Sequence, residues 1–177
     1  MKHLPNLITL LRLLMVPFIS VLLAERAYGL GLAVYLAAAI SDGVDGFLAR
    51  RFKVTSRIGA LLDPVADKMI VISAAFVLAW HALLPLWLAV PLIARDALML
   101  AVGLTDPRLQ EEWLPPNRMG KLHAALAFGA IIVTLAQAAG VIDAPLLLDV
   151  VYVAAFVTVL VSAALYFKAW QRHRRQG

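Results

Sequence analysis

Four aspartates fall within 26 residues of strongly apolar sequence: Asp42 and Asp45 near the end of one hydrophobic run, Asp63 and Asp67 near the start of the next. An ionised Asp in a spanning helix costs about 2.5–3.5 kcal/mol near the bilayer centre and less near its ends. Carboxylates gathered this closely repel one another unless cations hold them. Asp42 and Asp45 stand i,i+3 and Asp63 and Asp67 stand i,i+4, so each pair shares a helix face. The donors are all oxygen, the chain has no Cys, and no His lies nearby. That set suits Mg²⁺, Mn²⁺ or Ca²⁺ rather than Zn²⁺. Four carboxylates suit two divalent ions better than one. A paired site can clamp a pyrophosphate, neutralise a leaving phosphate and activate an attacking oxygen.

Small residues and one arginine accompany the acids. Gly46 and Ala49 flank the first pair, and Gly59 lies four residues before Asp63 on the same stripe. They let a bulky polar ligand approach the backbone. Arg50, one turn beyond Gly46, can give a phosphate a bidentate pair. The pattern reads D-x-x-D-G-x-x-A-R, eight residues, then G-x-x-x-D-x-x-x-D.

The elements that position this cluster are read from hydropathy. Of 177 residues, 63% are hydrophobic, and the mean hydropathy is +0.86. A soluble domain has about 45–50% apolar residues. Six runs are long enough for spans: about 7–24, 29–49, 58–80, 84–103, 120–140 and 145–167. Backbone groups in lipid must pair internally, and strand-like alternation is absent, so the expected fold is all-α, a polytopic membrane protein of six helices in one domain over 1–177. Spans two and three should be antiparallel neighbours, bringing both acidic pairs to one depth. The first run lacks a polar, small-residue cleavage region and reads as a retained span. Lys2, Arg50, Arg51, Lys53, Arg57, Arg95, Arg108, Arg118, Lys121, Lys168, Arg172, Arg174 and Arg175 fall at one set of ends, and only Arg26 at the other. The positive-inside rule then puts both termini and the aspartates on the cytoplasmic side. The net charge of +5 reads as membrane orientation and anionic-lipid contact, not nucleic-acid binding.

With every motif position filled, the stretch resembles the CDP-alcohol phosphotransferases, and Pro5-Asn6-Leu7-Ile8-Thr9-Leu10-Leu11-Arg12 is similar to the bacterial branch that makes glycerophospholipids. The resemblance covers most of the chain and implies a reaction. An alcohol hydroxyl attacks the β-phosphorus of CDP-diacylglycerol, giving a phosphodiester and CMP. It implies that Asp42, Asp45, Asp63 and Asp67 hold two divalent ions, Mg²⁺ or Mn²⁺, and that Asp67 is the general base. Gly46, Ala49, Arg50 and Gly59 would hold the CDP moiety. It further implies phospholipid biosynthesis in a bacterial inner membrane, and a homodimer.

The acceptor site is drawn more faintly. Arg95, in IARDALML, and Arg118 and Lys121, in NRMGKLHAAL, suggest a second anion pocket for an acceptor carrying phosphate. By resemblance, glycerophosphate-using relatives place an Arg and a Lys at these points, often with another Arg where this chain has Gly103. They usually show Arg-Glu where this chain has Arg95-Asp96, a form more like CMP-forming cardiolipin synthases, whose acceptor is phosphatidylglycerol. Glycerol 3-phosphate is the commoner acceptor of the branch and is placed first. An ion-coupled transporter using the same carboxylates is the competing class, disfavoured because the acids are one-sided and tied to Gly and Arg. Arg12 reads as either a headgroup contact or an ion pair, Lys68 as pairing with a carboxylate or snorkelling. His3, His81, His123 and His173 read as surface or interface residues.

Overall fold

The computed structural model describes the backbone of residues 4–52, 57–105 and 118–176, and the side chains of 11–41, 65–102, 104–105, 119–165, 168 and 171. Six helices make up the described residues: α1 (Leu4–Ala24), α2 (Tyr28–Phe52), α3 (Arg57–Trp80), α4 (Leu86–Thr105), α5 (Arg118–Ala138) and α6 (Pro145–Gln176). Pro145 takes the first helical position of α6, where a missing N–H is harmless, and Pro85 immediately precedes α4. α6 continues beyond the apolar run that ends near residue 167, because no Gly or Pro interrupts KAWQRHRRQ.

Three short turns close the α1–α2, α3–α4 and α5–α6 hairpins with one hydrogen-bond pattern. At the first, Arg26 N–H donates to Leu23 O and Ala27 N–H to Leu22 O; at the second, Ala82 donates to Ala79 O and Leu83 to Leu78 O; at the third, Gly140 donates to Gln137 O and Val141 to Ala136 O. Each is a Schellman closure with its pivot residue left-handed, at φ 60°, 58° and 70° for Arg26, Ala82 and Gly140. Only Gly140 takes that conformation without steric cost; for Arg26 and Ala82 it costs about 1–2 kcal/mol each.

The bundle is organised about α3. One face of it, Ala66, Ile70, Ala74 and Leu78, is buried to 1% exposure or less. Small residues on such a face let neighbouring backbones approach closely. α3 packs most extensively on α1, and also on α4 and α5, while α2 packs on α1 and α5. The two helices that carry the acidic residues, α2 and α3, thus both pack on α1. The expected meeting of α2 and α3 at their motif ends falls on side chains outside the described residues. Ile19 and Leu23 of α1 are fully buried in the core.

Large apolar side chains also cover the outside: Leu14, Leu30, Ile40, Phe76, Trp87, Leu146 and Val150 are all exposed. So much outward apolar surface is suited to lipid contact. Among the described residues, two segments are long and apolar enough to cross a membrane, Met119–Ala138 and Pro145–Leu165; Leu11–Ala24 and Tyr28–Ser41 are shorter apolar stretches.

Candidate active site

The backbone puts Asp42, Asp45, Gly46, Ala49 and Arg50 on the last three turns of α2, and Gly59, Asp63 and Asp67 on the first three turns of α3. α2 ends and α3 begins within a few residues of chain, at the end of the bundle opposite the three hairpin turns. Of these eight residues, only the Asp67 side chain lies within the described set. Those of Asp42, Asp45, Ala49, Arg50 and Asp63 lie outside it, as does Arg118 of the acceptor group.

Asp67 is not alone. Its Oδ1 accepts a hydrogen bond from Arg12 Nη1 of α1 at 2.5 Å, with the guanidinium side chain 3% exposed and the carboxylate 38% exposed. Of the two readings of Arg12, the structure favours the ion pair. Arg12 lies eight residues into α1 and Asp67 ten into α3, about 12–15 Å along each helix at 1.5 Å per residue. The polar cluster therefore reaches well into the bundle.

One residue further along α3, Lys68 turns to another carboxylate. Lys68 Nζ donates to Asp96 Oδ1 at 2.7 Å, and Arg95 Nη1 donates to the same oxygen at 2.5 Å. Asp96 is 2% exposed. A charge so buried must be paired, and here one short side chain gathers two cations. Arg95 and Asp96 lie at the middle of α4, not at a polar end as its sequence suggested. Arg95 is largely buried, whereas Lys121, on the first turn of α5, is exposed.

The sequence reading missed the far side of this hub. His123 of α5, expected at the surface or interface, is fully buried. Its Nε2 lies 3.6 Å from Asp96 Oδ1, beyond hydrogen-bond length, and its Nδ1 lies 3.0 Å from Thr158 Oγ1 of α6. Thr158 Oγ1 in turn donates to Ala155 O at 2.7 Å. No spacing rule marks His123, because its partners come from helices 27 and 35 residues away. At the opposite end, His81 Nδ1 meets Tyr28 OH at 3.0 Å, joining α2 to the end of α3.

Among the described residues, no three His, Cys, Asp or Glu side chains come together as a metal site. The donor set still fits divalent ions in its chemistry. It offers four carboxylates and no thiolate, and its described member, Asp67, is half-open to the outside while Arg12 fixes one of its oxygens.

The CDP-alcohol phosphatidyltransferase family model matches residues 2–170. The chain is 36% identical over 131 residues to the cardiolipin synthase (CMP-forming) of Streptomyces coelicolor, covering 70% of this chain and 59% of that one. It is 28% identical over 176 residues to the CDP-diacylglycerol--glycerol-3-phosphate 3-phosphatidyltransferase of Rickettsia typhi, covering 96% and 97% of the two chains. To the Bacillus subtilis protein of the same name it is 27% identical over 188 residues, covering 97% of each. The chain spans about 60% of the length of the mycobacterial and Streptomyces cardiolipin synthase relatives it matches. With the full motif on α2 and α3 and a match from residue 2 to residue 170, the protein belongs to the CDP-alcohol phosphatidyltransferase family.

Proposed function

We propose that the protein is an integral membrane phosphatidyltransferase that moves the phosphatidyl group of CDP-diacylglycerol to an alcohol acceptor and releases CMP. The reading rests above all on one observation. In an otherwise apolar bundle, the charges of α1, α3 and α4 converge beside the acidic motif, as Arg12–Asp67 and Lys68–Asp96–Arg95. All six helices span the bilayer in this reading, and the basic residues put the termini and motif at the cytoplasmic face. The donor lipid enters sideways, its diphosphate at the α2–α3 end and its acyl chains left in the bilayer.

The acceptor hydroxyl attacks the β-phosphorus, the bond from that phosphorus to the CMP oxygen breaks, and CMP leaves. Asp67 takes the hydroxyl proton, and its exposed side gives the acceptor access. Arg12 keeps the carboxylate aimed. Gly46, Ala49 and Gly59 leave room for the cytidine diphosphate, and Arg50 holds its phosphates. Asp42, Asp45, Asp63 and Asp67 would hold two divalent ions, Mg²⁺ or Mn²⁺. When bound, these supply the positive charge that stabilises the leaving phosphate.

Glycerol 3-phosphate is the acceptor of first choice, supported by end-to-end similarity to the Rickettsia typhi and Bacillus subtilis proteins. Arg95, Arg118 and Lys121 are its phosphate ligands in this reading. Phosphatidylglycerol is the second, supported by the higher identity to the Streptomyces coelicolor protein and by the Arg95-Asp96 pair. The test is CMP release from CDP-diacylglycerol by purified protein, with and without a chelator and with each acceptor in turn. Turnover that needs neither acceptor nor divalent metal would sink the proposal.

A further inference from the structure

Asp67 and Lys68 are consecutive residues of α3 that turn to different neighbours, Asp67 to Arg12 of α1 and Lys68 to Asp96 of α4. Successive helical residues point about 100° apart and differ by only about 1.5 Å in height. The carboxylate and the ammonium therefore share one depth in the bundle. Asp96 does not use up the ammonium. A lysine has three donors, and among the described residues one is taken, by Asp96 Oδ1 at 2.7 Å. Strongly hydrated N–H groups left without an acceptor are costly in an apolar bundle. The lysine is also the open side of the pair: its side chain is 23% exposed, against 3% for Asp96. Arg95 Nη1 donates to the same oxygen at 2.5 Å, which puts the two cationic donors within about 5 Å of each other. A phosphate monoester, with three acceptor oxygens and a charge of about −1.5 to −2, can take a donor from each.

We propose that Lys68 is a ligand of the acceptor alcohol's phosphate, held beside Arg95 by the carboxylate of Asp96 and one residue along α3 from Asp67. The side of the bundle says which phosphate it meets. Gly46, Ala49 and Arg50, read as ligands of the cytidine diphosphate, belong to α2, which packs on α1 and α5. Lys68 turns instead to α4, where Arg95 stands. The inference rests on the reading of Arg95 as an acceptor-phosphate ligand, and it adds a second cation whose place is fixed relative to Asp67 by the helix itself.

Lys68→Gln keeps an amide donor toward Asp96 and removes the charge. Steady-state kinetics use CDP-diacylglycerol and whichever of glycerol 3-phosphate and phosphatidylglycerol the wild-type enzyme consumes. Lys68→Gln should raise the acceptor KM about 10- to 100-fold, the size of one lost hydrogen bond to a charged group. The KM for CDP-diacylglycerol should stay near the wild-type value, and Lys68→Arg should recover part of the loss. Contact with the phosphate is separated from mere support of Asp96 by a double variant. In an Asp96→Asn background, Lys68→Gln should still raise the acceptor KM relative to Asp96→Asn alone. If Lys68→Gln by itself yields no folded protein, this second comparison carries the test, since it strands no carboxylate. An unchanged acceptor KM overturns the proposal, as does an equal rise in both KM values, an Arg variant no better than Gln, or an effect that vanishes in the Asp96→Asn background. Arg95→Gln is the control. If it raises the acceptor KM and Lys68→Gln does not, only the role of Lys68 falls. If neither raises it while CMP release persists, the reading of Arg95 as an acceptor ligand falls as well.

Discussion

Arg12 and Asp67 meet at 2.5 Å, yet the guanidinium end of the pair is almost sealed and the carboxylate end is more than a third open. An ion pair that served only to bury charge would close both ends. Here α1 supplies a rigid cation from behind, and α3 presents the carboxylate forward. Arg12 is thereby suited to aim Asp67 rather than to neutralise it. Arg12→Gln should lower kcat for CMP release by about 10- to 100-fold, the range expected when a reacting group loses its orientation. Arg12→Lys should fall between Gln and wild type, because an ammonium keeps the charge but not the planar fork. Equal rates for all three proteins would assign Arg12 to packing alone.

If Asp67 takes the acceptor proton, Asp67→Asn should reduce kcat by about 10²- to 10⁴-fold. Asp63→Asn should also inactivate, through loss of a metal ligand. The two variants should differ in one respect. Raising Mg²⁺ or Mn²⁺ should partly rescue Asp63→Asn, whose deficit is affinity for the ion, and should do less for Asp67→Asn, which has also lost its base. Single-turnover rates across a metal titration measure this directly. A chelator should abolish wild-type turnover, and added divalent ion should return it.

Asp96 should matter to stability as well as to turnover. It is buried between Lys68 and Arg95, which are 23% and 9% exposed at the side chain. Removing one partner of a buried pair costs about 3–5 kcal/mol, and the partial exposure of Lys68 puts Asp96→Leu near the lower end. Asp96→Asn keeps an acceptor oxygen and should cost less. Thermal unfolding in detergent micelles should rank wild type above Asn and Asn above Leu. A Leu variant as stable as wild type would mean that the two cations find water or lipid phosphate as readily as Asp96.

The sequence made the helices legible for a simple reason: apolar run length and the breakers Pro85, Gly140 and Pro145 act locally, and six runs correspond to six described helices. The turns at Arg26 and Ala82 were not legible, since neither residue favours a left-handed φ; hairpin packing on either side imposes it. The motif could be read because helical spacing alone puts Asp63 and Asp67 on one face. Arg12, Asp96, His123 and Thr158 form their contacts across helices, and those depend on how each helix is rotated and on which neighbour it packs against. Periodicity gave α2 and α3 as chain neighbours but had no means of showing α1 packed against both. His123 was misread for the same reason: an isolated His in an apolar run carries no mark of what faces it.

The acceptor can be argued from charge. Arg95, largely buried against Asp96, is the arginine read as the ligand of the acceptor's phosphate. A phosphate monoester carries about −1.5 to −2 near neutral pH, whereas the diester of phosphatidylglycerol carries a single negative charge. The monoester of glycerol 3-phosphate therefore gains more from Arg95 and its neighbours. With both acceptors present at equal concentration, the product should be mainly phosphatidylglycerophosphate, and glycerol without phosphate should be a poor acceptor. Arg95→Gln should depress use of glycerol 3-phosphate more than use of phosphatidylglycerol, since the extra charge is what the arginine reads. Lipid products separated by mass spectrometry decide the matter. Cardiolipin as the main product, with glycerol 3-phosphate left unconsumed, would show that phosphatidylglycerol is the acceptor.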